Sequence, residues 1–355
     1  MPDGSSAPLQ GARPSIEIDG QRNATVTSAM QELLIVDSVD GLARCEFKVG
    51  NWGGPEHPGF QYFGRDTLDF GKSLKVTLAD SALFEGRISA IAGEFPDGGP
   101  PQVCVCAEDR LQDLRMTRRT RGFEDVALAD VVQRIASDHG LSPQTDLSGE
   151  TYKLLAQVNQ SDLAFLRDLA RREDAEVWVE GTRLKAAQRA RRNGGRLALS
   201  WAGLLHEFSV CADLAHQRTQ LIAAGWNVAD KREAKYTAGE AAVQSELNGG
   251  TSGASTLRQA FGERIDTLAH GMPASDAQAQ VLAEASFRHH ARRFLVGRGV
   301  AQTQAGLQVG AKITISGIGP LFEGDYFVTN VSTRFDAKKG LRTEFLCDRP
   351  AIGHA

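Results

Sequence analysis

The sequence predicts a mainly β fold, interrupted by an α+β section and by a helical insertion. Three observations carry this. Short β-rich runs crowd the first hundred residues, a helical period of apolar residues takes over near residue 126, and β-rich runs return from about 197. Several short strands at close spacing, with turn residues between them, suggest a small barrel or sandwich. The chain has 355 residues, which at ~100–200 residues per domain bounds it to two or three domains.

In the first section, LLIVDSV (33–39) and ARCEFKVG (43–50) are β-rich runs divided by the turn dipeptide Asp40-Gly41. A Gly/Pro/aromatic loop (51–64) follows, then runs at 73–80, 83–95 and 101–109. In the second, VALADVVQRIASDHG (126–140) sets Val131, Val132, Ile135 and Ala136 on one helical stripe, with Gly140 as its stop. A helix over 161–173 starts at the N-cap Ser161 and shows Leu163, Leu166, Leu169 and Ala170 on one face. A hairpin over 175–186 turns at Gly181. In the third, strands are expected at RLALSW, HEFSVCADL and QLIAAGWNV. The Gly/Ser/Thr-rich stretch 237–256 reads as a mobile loop. An amphipathic helix (275–294) is capped by Ser275, with Arg288, Arg292 and Arg293 at the negative end of its dipole. Strands at 311–317, 324–335 and 341–349 close the chain.

Composition excludes several classes. Lys plus Arg total 40 against 44 Asp plus Glu, so the whole molecule is no polycationic nucleic-acid binder. Hydrophobic residues at 41% argue for packed cores over disorder. No apolar run approaches the ~20 residues that span a bilayer. The N-terminus MPDGSSAPLQGARP lacks the pattern of a secretory signal, so folding in the cytoplasm is expected. Five cysteines (Cys45, Cys104, Cys106, Cys211, Cys347) are odd in number and scattered, unlike a disulfide framework. Cys104 and Cys106 share a strand face and are expected to be small buried residues.

Catalytic motifs are absent. There is no P-loop, no GxSxG elbow and no GxGxxG opening a helix. His206-Glu207 begins like HExxH, but Val210 stands where the second ligand belongs. His289 and His290, adjacent on a helix, point about 100° apart and chelate poorly. No catalytic residue, metal or cofactor is therefore expected. Two basic stretches remain, RLQDLRMTRRTRGF (110–123) and Arg183–Arg196, the latter with Lys185, Arg189, Arg191 and Arg192 and no acid. Either is a solvated connector or contacts an acidic protein surface, with Arg191 and Arg192 the interface candidates. Nucleic acid is the weaker reading, since no aromatics interleave the arginines. Trp52, Trp178, Trp201 and Trp226 are expected to anchor one core per section.

The order LLIVDSVDGLARCEFKVGNW, LFEGRISAIAGEF, AEDRLQDLRMTRRTRGFEDVALADVVQRIASDHGL, QVNQSDLAFLRDLARREDAEVWVEGTRL and QLIAAGWNVADKREA resembles the late control protein D family. These are baseplate hub proteins of contractile phage tails and related injection systems. The closing LQVGAKITISGIGPLFEGDYFVTNVSTRFDAKKGLRTEF resembles the family's G-x-Y-x-V strand and hairpin, which singles out Gly324 and Tyr326. The resemblance runs from about residue 30 to 349. Thr333, two residues after Val331, stands where the family often has His.

The resemblance implies two related antiparallel β-barrel "tube" domains, 1–115 and 197–355, around an α+β domain, 116–196. A helical insertion would occupy about 231–297. It implies a homotrimer whose six barrels give a pseudo-sixfold ring, joining a hexameric inner tube to a trimeric spike and touching other baseplate components. Because the sequence ends at Ala355, the spike is expected to be a separate polypeptide. LFEG occurs at 83–86 and again at 321–324, which marks Gly86 and Gly324 as matching turn glycines. Two rivals stand beside this reading: a tail-tip peptidoglycan hydrolase, and a nucleic-acid binder acting through Arg183–Arg196.

Overall fold

The computed structural model describes residues 13–53, 58–79, 81–336 and 338–353. The reading of the N-terminus falls largely outside them, as does part of the 51–64 loop. The first section holds β1 (Ser15–Ile18), β2 (Gln21–Arg22), α1 (Ala24–Ala29), β3 (Met30–Ser38), β4 (Arg44–Gly50), β5 (Ser73–Leu78), β6 (Ser81–Glu94) and β7 (Gln102–Glu108). The second holds α2 (Leu111–Arg115), β8 (Arg118–Val126), α3 (Leu128–Asp138), β9 (Ser142–Asp146), β10 (Tyr152–Ser161), α4 (Asp162–Arg172), β11 (Ala175–Glu180) and β12 (Arg183–Gln188). Next come β13 (Arg196–Ser200), β14 (Leu205–Ala212), β15 (Gln220–Asn227), β16 (Arg232–Ala238), β17 (Thr251–Ser252), α5 (Gly253–Phe261), β18 (Ile265–Leu268) and α6 (Asp276–Arg292). The chain finishes with β19 (Leu295–Gln302), β20 (Lys312–Ser316), β21 (Gly324–Asp336), β22 (Gly340–Arg349) and β23 (Ala351–Ile352).

Closed barrels do not form among the described residues. Thirteen strands instead make one sheet that runs through both β sections. The cause is the length of β21. One edge of β21 bonds β22, while the other is shared, Gly324–Phe327 with β20 and Asn330–Asp336 with β3. The edge of β3 that a closing strand would need is thereby taken.

The two β sections repeat one strand order. In the first, neighbours in space are β3-β4-β7-β6-β5-β1; in the last they are β14-β19-β22-β21-β20-β13. Taken along the chain, each strand meets its counterpart in the same position. Even a bulge recurs: between Ile88–Ala107 and Ala90–Cys106 on β6–β7, and between Val328–Cys347 and Asn330–Leu346 on β21–β22. One strand departs, since β1 runs antiparallel to β5 whereas β13 runs parallel to β20.

Alternation buries one face of each strand. Cys45, Phe47 and Val49 of β4 and Val103, Val105 and Ala107 of β7 enter the first core, which also takes Phe335 and Leu341 from the β21–β22 hairpin. Cys104 and Cys106 therefore sit on the half-exposed face, against expectation, and Cys45 and Cys347 are the buried thiols. The second core joins α3 and α4 through Val131, Val132, Ile135, Leu166 and Leu169. Helix α3 ends where Gly140 takes φ +62°, and Ser161 caps α4 by accepting from the Ala164 amide at 3.2 Å.

A third core, with Leu295, Ile313, Tyr326 and Phe345, lies under the last β section. A fourth underlies the insertion and draws in Leu221 and Ala223. The excursion therefore takes in β15, which pairs with β16 and β18 and not with the large sheet. Nor is 237–256 a bare loop: it holds a 3-10 segment (Glu240–Glu246), β17 and the start of α5. Val243 and Ala254 are buried there, and Ser252 caps α5 by accepting from Ser255 at 3.0 Å.

Candidate interaction surface

The middle of the basic stretch Arg183–Arg196 turns inward at Arg189 and Arg192, while Arg183, Arg191 and Arg196 stay exposed. Arg192 is buried, 2.7 Å from Glu176 and 4.3 Å from the Trp178 ring centre, and donates to the Val309 carbonyl. Arg189 pairs with buried Asp348 and lies 4.1 Å over the Phe327 ring. Arg191 stays exposed and meets Asp146 at 2.9 Å. Lys185 reaches Glu180 at 2.9 Å. Arg192 is thus an internal clamp between the middle and last sections, which corrects its reading as a surface contact. A cation already matched by a carboxylate has little left for a phosphate backbone.

The same holds elsewhere. Arg121 of the first basic stretch bonds Asp138 at 2.6 Å and Asp162 at 2.9 Å. Burial works against the Asp162 charge, yet His139, Gln157 and the two arginines Arg121 and Arg119 hold its carboxyl below the usual range. Arg292 of α6 pairs with Asp174 and, at 2.7 Å, with Glu246. Burial opposes the Glu246 charge too, but Arg292 outweighs it and keeps that carboxyl low.

The outward face of the large sheet is different. Two cavities, of about 740 and 480 Å³, lie on it either side of β21 and share Arg334, Asp336 and Lys339. Some charges are matched, as Arg298 is by Glu344 at 3.1 Å and Lys48 by Glu94 at 3.0 Å. Arg334 and Arg342 stand directly opposite each other across β21–β22. Neither side chain has an ion pair or hydrogen bond among the described residues. Like charges opposed on one face are destabilising unless something outside matches them. Sequence reasoning missed this pair; its signal was the run STRFDAKKGLRTEF, where the outward positions of two paired strands carry cations.

A second exposed feature is aromatic. Trp52, Phe60, Phe63 and Phe95 cluster at one end of the first β section, with ring centres 5.0 to 6.2 Å apart. Phe60 is 52% exposed and Phe95 65%. Trp201 and Trp226 are half-exposed, and Trp178 is only partly covered, so the tryptophans are not core anchors. Trp52 and Trp201 lie outside the strands, Trp226 near the end of β15, and Trp178 inside β11 on the face that meets Lys185 and Arg192. His206 and Glu207 lie exposed on β14, and among the described residues no group of His, Cys, Asp and Glu could hold a metal ion. No helix of the described residues is long and apolar enough to cross a membrane.

The LFEG glycines are not matching turns. Gly86 lies inside β6, where a Cβ would strike the Glu108 carbonyl. Gly324 opens β21 at φ +131°, and a Cβ there would meet the Arg349 guanidinium at 2.7 Å. Counted from the shared bulge, Gly86 stands where Tyr326 does, and Gly324 where Phe84 does. The motif falls on counterpart strands but out of step.

A family model described as the Alg8 N-terminal domain matches residues 12–336. The chain belongs to this family. No curated protein matches it. Among solved structures, the 43 kDa tail protein of prophage MuSo2 from Shewanella oneidensis shares the fold at TM-score 0.71 and 10% identity, over 96% of this chain and 100% of that one. A tail protein from Neisseria meningitidis gives 0.69 at 12% identity, over 96% and 97%. An Escherichia coli type VI secretion component, described as similar to T4 bacteriophage tail proteins gp27 and gp5, gives 0.57 at 11%, over 96% and 77%. This family member therefore has the fold of phage tail proteins and of a type VI secretion component, in line with the resemblance to the late control protein D family.

Proposed function

We propose that the chain is a structural baseplate hub: a homotrimer that joins a hexameric inner tube to a trimeric spike. The observation that carries this is the repeated strand order with its repeated bulge. A sixfold tube meeting three chains needs two near-equivalent surfaces from each. Two copies of one strand arrangement in a single sheet supply them, with 1–115 and 197–355 as the related units and 116–196 and the insertion outside the ring. In this reading the outward sheet face with Arg334 and Arg342, the aromatic patch around Phe60, and Trp226 are covered by neighbouring chains. Exposed apolar clusters of this kind mark interaction sites.

Native mass spectrometry of the chain co-expressed with a trimeric spike protein tests the stoichiometry. Three copies per complex are expected. A chain that remains monomeric with the spike at high concentration overturns the proposal.

A further inference from the structure

A third cavity, of about 260 Å³, lies where the middle section, the insertion and the last β section meet. Its wall carries carboxylates and cations, and the two are unequally occupied. Asp348 is held by Arg189, Glu246 by Arg292, and Asp325 accepts from the Thr314 hydroxyl at 2.6 Å. Arg196, Lys312 and Arg349 also line it, and none of the three has a carboxylate partner among the described residues.

Arg349 is the telling member. It is 7% exposed, and one of its N–H groups donates to the Glu323 carbonyl at 2.5 Å. The guanidinium lies 5.5 Å over the Tyr326 ring. Gly324 leaves the room it occupies, since a side chain there would collide with it. An arginine has five donors in a planar fork; besides the Glu323 carbonyl this one has, among the described residues, only the Tyr326 hydroxyl beside it, which leaves donors for a guest in the cavity. Arg196 and Lys312 are strand partners on β13 and β20, which puts two further cations side by side at the mouth. Both are exposed.

We propose that this cavity binds a phosphate-type oxyanion, with Arg349 as the buried fork and Arg196 and Lys312 closing over it. Fork geometry matches a phosphate face, and the two outer cations match its remaining charge. The proposal does not depend on the hub reading. The phosphoryl group can be free or part of a nucleotide, and the test separates these sources.

Isothermal titration is done on the full chain with inorganic phosphate, diphosphate and ADP, at ionic strength fixed by chloride. Saturable one-site binding is expected for at least one of them. Equal affinity per phosphoryl group for diphosphate and ADP marks a site that reads the phosphate alone, whereas tighter ADP binding marks a nucleotide source. The double variant Arg196→Ala/Lys312→Ala changes only exposed side chains and should bind at least tenfold more weakly with its circular dichroism unchanged. Arg349→Lys, which keeps the charge and loses the fork, should weaken binding as well. No saturable binding by any of the three, or wild-type affinity in the double variant, overturns the proposal. So does a cavity that takes tetraglutamate and refuses phosphate.

Discussion

At Asp109, a buried carboxylate accepts from the Ala43 and Leu111 amides, each at 2.9 Å. Burial, with Asp37 adding to it, pushes its pKa up to about 7. A raised carboxyl binds its proton more tightly folded than unfolded, so this group's contribution to stability is greatest at low pH. It falls as pH climbs from the unfolded value near 4 to the folded value near 7. The Asp109→Asn chain should lose this slope: the drop in unfolding free energy between pH 5 and pH 8 shrinks by on the order of 2 kcal/mol. Urea titrations at both pH values check it, and an unchanged slope contradicts the assignment. Arg192 gives the second prediction at this scale. Removing it leaves Glu176 buried without its cation, so Arg192→Ala should cost about 3 kcal/mol or more by the same measurement. By contrast, Ala at His206, Glu207, His289 or His290 should leave assembly unchanged. Loss of function in intact particles would reinstate chemistry there.

Among the elements, caps and alternation were legible because they depend on neighbours in sequence. Ser161, Ser275 and Gly140 each do what their residue type favours, and Ser161→Ala should destabilise by about 1 kcal/mol in thermal melts. The alternation of β4 and β7 was equally plain, but not which face is covered, and so Cys104 and Cys106 were put on the wrong side. What stayed hidden was non-local. Nothing within β21 says that its far edge will be divided between β20 and β3, and that division is what opens the expected barrels into one sheet. The stretch 237–256 misled because its small polar residues suit turns, while Val243 and Leu257 are spaced too widely for a stripe to register. The Arg334–Arg342 pair also needs the register to be seen. With their repulsion relieved, Arg342→Thr should raise the stability of the isolated chain by about 0.5 kcal/mol while weakening its assembly. A stability loss would mean the two guanidinium groups are matched within the chain.

Over the whole molecule, ion pairs tie the sections together. Arg189–Asp348 and the hydrogen bond from Arg192 to the Val309 carbonyl join the middle section to the last, and Arg292–Asp174 joins it to the insertion. A frame clamped in this way suits a part that transmits load between a tube and a spike. The central claim is that the two repeated β units occupy equivalent places around one axis. Electron cryo-microscopy of the assembled ring measures this most directly. The account predicts three chains whose first and last β units alternate around the axis, each carried onto the next by a rotation of about 60°, a sixth of a turn as closed symmetry requires. Units that lie at different radii, or that share no rotation about the axis, would contradict it.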